Sequence, residues 1–166
     1  MLRGPVSSGE RAATRGVGVG QGGSGLFYLR HWHPMTREEI GCEVDSVADV
    51  VGTAEHAMEA YRRAGVGWLA GVSVWRGIDT PEDSLSICLA LEGWALIRTN
   101  SELWQTITRS HGAPPGIRRK VRFDDLLEIP SACFIDKALA IEAVTTWMER
   151  GELLEAAGFS DDLFSC

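Results

Sequence analysis

The chain is 166 residues long and 45% apolar, with a formal net charge of −7. That length suits one domain with a sizeable core. The first 25 residues set Arg3, Arg11 and Arg15 against Glu10, so the remainder is more acidic still. This argues against direct nucleic-acid binding, which needs Lys and Arg to neutralise phosphate, and suits a basic partner drawn in by electrostatic steering. Cys42, Cys88, Cys133 and Cys166 form no C-x-x-C and no zinc-like Cys/His spacing. There is no signal-peptide h-region and no apolar run near ~18 residues. The expectation is a cytoplasmic protein with reduced thiols, off the membrane, without a metal or cofactor.

Residues 1–25 read as a disordered, glycine-rich leader, and 26–166 as a single domain. Gly18, Gly20 and Gly23 fit G-x-G-x-x-G formally. That fingerprint requires a strand before it and a helix after it, and neither is in place. Leu26 to His33 predicts a strand ended by Pro34, with His31 and His33 at i, i+2 on one face. Glu39 to Asp45 is compatible with a short strand, and Ser46 to Val51 with a helix start weakened by Gly52. A clearer helix runs from Ala54 to Ala64, with Thr53 as N-cap and Gly65 as terminator.

A strand meander follows. Val66 to Arg76 puts Val66, Trp68, Ala70, Val72 and Val74 on one face and Trp75 on the other. A polar turn carries Asp79, Pro81, Glu82 and Asp83. Ser84 to Leu91 and Trp94 to Arg98 are two further strands joined at Glu92-Gly93. Glu102 to Thr108 reads as another strand, with one helical turn as the alternative. A loop marked by Pro114 and Pro115 leads to Arg118, Arg119, Lys120 and Arg122. This basic cluster reads as a strand edge that resists self-pairing rather than as a nucleic-acid patch. Asp136 caps a helix from Lys137 to Arg150 that buries Leu139, Ala143, Val144, Trp147 and Met148 and stops at Gly151. The acidic tail offers Leu153, Leu154, Phe159, Leu163 and Phe164 for docking.

No hydrolase, zincin, P-loop or deaminase motif is present. Cys133 reads as a buried structural thiol in the run ACFI. Asp124-Asp125 and Asp161-Asp162 are adjacent in sequence, so on a strand each pair would point to opposite faces.

The stretch Ile129-Pro130-Ser131, then Ile135, then a helix with Ala140, Ala143, Trp147 and Gly151, resembles the immunity protein type 1 family of bacterial polymorphic toxin systems. The element order from Leu26 onward is similar as well. The resemblance implies an α+β immunity protein that inactivates a cognate toxin, commonly a nucleic-acid deaminase, by covering its active site or substrate groove. Such toxins present basic surfaces, which an acidic chain complements.

The expected fold is α+β: a mostly antiparallel sheet of about five or six strands with two main helices on one face. The expected contact residues are acidic loop positions and sheet-edge aromatics: Asp79, Glu82, Asp83, Glu92, Trp75 and Trp94. For each acid the alternative is a solvated turn, and for each tryptophan a core position. Two rival functions remain: a hydrolase-like enzyme using His31, His33 or Cys133, and a small-ligand module with a tryptophan-lined pocket.

Overall fold

A computed structural model describes residues 25–77, 83–112 and 116–162. The leader therefore lies outside the described residues except for Gly25, as do Leu163 and Phe164. The architecture is α+β. Strands β1 (Phe27–Trp32), β2 (Glu39–Val44), β3 (Leu69–Arg76), β4 (Ser84–Leu89), β5 (Trp94–Thr99) and β6 (Gln105–Ile107) form an antiparallel sheet in the order β2-β1-β3-β4-β5-β6. Two more strands, β7 (Arg118–Arg122) and β8 (Leu126–Pro130), form an antiparallel hairpin. Among the described residues, the hairpin's strand pairing with the sheet is a short parallel register of β7 on β3, Leu69↔Val121 and Ala70↔Arg122.

Helices α1 (Val47–Ala64) and α2 (Lys137–Arg150) cover one face. The two-residue pleat aims Leu29, Val72, Val74, Ile87 and Leu96 at them, all with 0% exposure. From α1 come Val50, Ala54, Ala57 and Tyr61, and from α2 Ala140, Ala143, Val144, Trp147 and Met148. Lys137 pairs with Glu55 and ties the two helices together.

The second helix has the expected bounds. Asp136 Oδ1 accepts from Ala138 N–H at 2.9 Å, and Gly151 closes the helix at φ 70°. The first helix corrects an expectation: it starts at Val47, and its N-cap is Ser46, not Thr53. Ser46 Oγ accepts from Asp49 N–H at 3.2 Å and donates to the Asp49 carboxylate at 2.7 Å. A glycine inside a helix costs about 1 kcal/mol. Here the stripe Val50, Ala54, Ala57, Tyr61 runs through Gly52 at helical spacing, and its burial outweighs that cost.

The opposite face of the sheet packs a second apolar cluster, including Trp32, Cys88, Ile97, Ile107, Val121, Phe123, Ile129 and Phe134. The hairpin covers part of it. At Gly71 the approach is so close that a Cβ would lie 2.5 Å from the Phe123 ring and 2.6 Å from the Arg122 carbonyl oxygen. The tail returns to the sheet edge, where Ile107 and Ser160 exchange backbone hydrogen bonds of 2.8 and 2.9 Å. That contact protects part of the β6 edge, as edge strands require.

Candidate interaction surface

The hairpin face of the sheet mixes polar residues with its apolar cluster, where the helix face is mainly apolar. Register aligns Tyr28, Trp75, Ser84, Thr99 and Gln105 in one row across β1, β3, β4, β5 and β6. The next row is Arg30, Ser73, Ser86, Ile97 and Ile107. Arg30 holds the hairpin tip to this surface. Its guanidinium lies 5.3 Å from the Trp32 ring and 5.0 Å from the Trp75 ring, and pairs with Glu39 at 3.3 Å and Asp124 at 3.6 Å. Asp124 also accepts from Trp32 Nε1 at 2.9 Å. Phe123 meets Trp32 edge-on at 5.8 Å. A charge-assisted network on an aromatic floor fixes the tip in one orientation.

Beneath the hairpin run two adjoining grooves of about 270 and 290 Å3, both lined by Ile97, Gln105 and Leu127. Together they make one trough between β5–β6 and β8. Its hairpin rim alternates acids with apolar side chains: Asp124, Asp125 and Glu128 are exposed, and Leu126 and Leu127 are 38% and 42% exposed. At its other margin, just before Gln105, a tight turn displays Leu103 at 79% and Trp104 at 66% exposure. The turn is rigid. Asn100 Oδ1 accepts from the N–H groups of Glu102 (3.0 Å) and Trp104 (2.9 Å), and Asn100 N–H donates to the Trp104 carbonyl at 3.0 Å. Leu103 sits at φ 64°, a left-handed conformation that costs a branched residue about 1–2 kcal/mol. The turn thus combines local backbone strain with two large exposed apolar side chains.

The structure redistributes the expected contact residues. Asp79 and Glu82 lie outside the described residues. Asp83 is engaged internally, with Arg98 at 3.1 Å and with Trp147 Nε1 at 3.3 Å. Glu92 is exposed and paired with Arg119. Burial pushes the Glu92 carboxyl up, but its own backbone N–H and Arg119 outweigh this and hold it below its ordinary value. Trp75 and Trp94 are not sheet-edge aromatics, which corrects that expectation. Trp75 lies on β3, which has partners on both sides, and is 8% exposed with its ring 4.8 Å from Tyr28. Trp94 is fully enclosed: its backbone exchanges hydrogen bonds of 3.0 and 2.9 Å with Ile135, and Lys137 Nζ sits 5.5 Å from its ring.

The residues of the rival enzyme do not assemble. His31 faces the helix side, where burial and the nearby His56 depress its pKa. His33 has left the strand, and its Nδ1 accepts from Met35 and Thr36 N–H at 3.2 Å each. Cys133 is fully buried beside Cys88, whose thiol burial pushes far above its ordinary value. Among the described residues no group of three or more His, Cys, Asp or Glu is placed to hold a metal ion. None of those histidines, and neither cysteine, lines the trough.

Sequence reasoning missed β8 and with it the trough. Leu126-Leu127-Glu128-Ile129 lacks alternation because the hairpin shields only one end of it. The exposure of Leu103 and Trp104 carries no sequence signal beyond Asn100, whose side chain favours a tight turn.

Comparison with protein-family models, with curated proteins and with solved structures finds no match to this chain. Among the described residues, no helix is long and apolar enough to cross a membrane.

Proposed function

We propose that the chain is an immunity protein that binds and neutralises a cognate bacterial toxin, a basic nucleic-acid deaminase, by covering its active site or substrate groove. It works by occlusion, without catalysis, in the cytoplasm of the cell that makes the toxin. The observation that carries this reading is the trough margin. Exposed Leu103 and Trp104 on a rigid, strained turn face solvent beside a rim of Asp124, Asp125, Leu127 and Glu128. Large apolar side chains at one margin of the trough and acids at the other suit a toxin surface built to hold nucleic acid, because they offer both contact energy and charge complementarity. The resemblance of the Ile129–Gly151 stretch to immunity proteins supports the same conclusion.

The test is co-expression with a deaminase toxin encoded by the adjacent gene. Growth should be restored, and the two chains should purify as a stable 1:1 complex. Trp104→Ala with Leu127→Asp should weaken that complex by about 100-fold or more, the loss expected of two interface anchors, while leaving the free protein folded. Association should slow steeply as salt is added. A toxin that still kills the co-expressing cell and forms no complex would refute the proposal.

A further inference from the structure

Parallel pairing of β7 with β3 begins only at Leu69↔Val121. Upstream the two segments diverge and leave an open cleft of about 530 Å3, with Gly67, Trp68 and Leu69 on one side and Arg118, Arg119 and Lys120 on the other. In an acidic chain this is an anomalous concentration of positive charge. The pleat puts Arg118, Lys120 and Arg122 on one face of β7, about 7 Å apart in sequence steps of two. Arg119 points the other way, toward Phe134, and pairs with Glu92. Its three neighbours make no ion pair among the described residues. Glu128 lies directly across from Lys120 in the hairpin register and still forms no ion pair with it.

Arg122 sharpens the anomaly. It is 6% exposed, with its guanidinium 5.2 Å from the Trp68 ring. The Trp68 indole N–H is itself buried without a hydrogen-bond partner. A buried orphan donor is costly. Trp68 lines the cleft, and Arg122 packs on its ring. An unsatisfied indole N–H beside two exposed, unpaired cations forms an arrangement that a bound anion would complete.

We propose that this cleft binds a small phosphate-bearing ligand. Arg118 and Lys120 on one strand face, a planar guanidinium fork beside an ammonium, match a multiply charged group with many oxygens better than a single carboxylate. The volume lies in the range of small-molecule sites. A long polyanion does not fit, because the chain as a whole is acidic. Arg118 lines both this cleft and the trough, yet anion binding here stands whether or not the chain neutralises a toxin.

Calorimetric titration of the full chain with inorganic pyrophosphate should show saturable 1:1 binding with Kd below about 1 mM, and the ligand should raise the unfolding temperature by mass action. Adenosine diphosphate in a parallel arm separates the sources: tighter binding than pyrophosphate identifies an organic phosphate, and equal binding identifies the phosphate group alone. Arg118→Ala with Lys120→Ala should weaken binding by at least about tenfold per cation. Both side chains are exposed, so the variant should fold, and without ligand it should be at least as stable as the parent because like charges are removed. Lack of saturation by about 10 mM pyrophosphate, or unchanged affinity in the variant, overturns the proposal. So does a short duplex DNA that binds more tightly than pyrophosphate and is not displaced by it.

Discussion

The two faces of the sheet are built from the same strands and do opposite work. On one face, α1 and α2 seal Leu29, Val72, Val74, Ile87 and Leu96 completely, with polar contacts such as Asp83 to Arg98 and Trp147 at the margin. On the other, a single hairpin lies over a mixed surface, with Cys88 and Ile97 beside serines, a glutamine and an arginine. It is anchored by a short register on β3, by Phe123 over Gly71 and by the Arg30–Asp124–Trp32 network. A pleat of period two separates these roles residue by residue. The helix face supplies stability. The hairpin face, incompletely covered, leaves an acid-rimmed trough beneath β8 and a cationic cleft beside β7, so both candidate sites depend on how the hairpin sits.

The sharpest way to break the comparison is from the sealed side. Trp147 is 1% exposed and packs against Phe27 with ring centroids 5.8 Å apart. Trp147→Ala should cost about 3–5 kcal/mol, read as a fall in the denaturation midpoint, and should lower the melting temperature by about 10 °C. The hairpin side should respond less, and locally. Gly71→Ala forces a Cβ against the Phe123 ring and the Arg122 carbonyl, at a cost of about 1–3 kcal/mol. Amide exchange should quicken in 118–130 while α1 and α2 keep their protection. Equal loss of protection in the helices would mean that the two covers are not energetically separate.

What the sequence disclosed follows the same division. The second helix was legible to the residue, because an Asp cap, an apolar stripe and a terminal glycine all agree at 136–151. Strands β3, β4 and β5 were legible because one of their faces is fully buried, which imposes alternation. Helix α1 lost its first two turns to Gly52, a local penalty that tertiary packing overrides. The tryptophans misled for a related reason. Trp75 and Trp94 were expected at sheet edges and are enclosed, while Trp104, read as part of a strand, is the exposed one. A side chain's partners across the sheet decide this, and they depend on strand order, which local periodicity does not encode. The hairpin left the weakest trace, since its apolar residues face a cover that is only half closed.

The smallest expected effect tests the sealed face by titration. His31 on β1 points toward α1, and burial with the neighbouring His56 lowers its pKa from the ordinary value of 6.5. The folded protein therefore holds fewer protons at this site than the unfolded chain once the pH falls below that value. Stability should be constant above about pH 7 and should decline as the pH drops through 6.5 toward the folded pKa, because protonation favours the unfolded state. Denaturant titrations between about pH 5 and pH 7.5 measure the slope, which His31→Gln should reduce. The change should be smaller than that from either substitution above, since His31 is only half enclosed. A slope untouched by the substitution would assign the pH dependence to other groups and leave His31 a solvated strand residue. A slope that disappears would show that α1 shields the β1 backbone well beyond the apolar core, out to the edge where Ile40 pairs with His31.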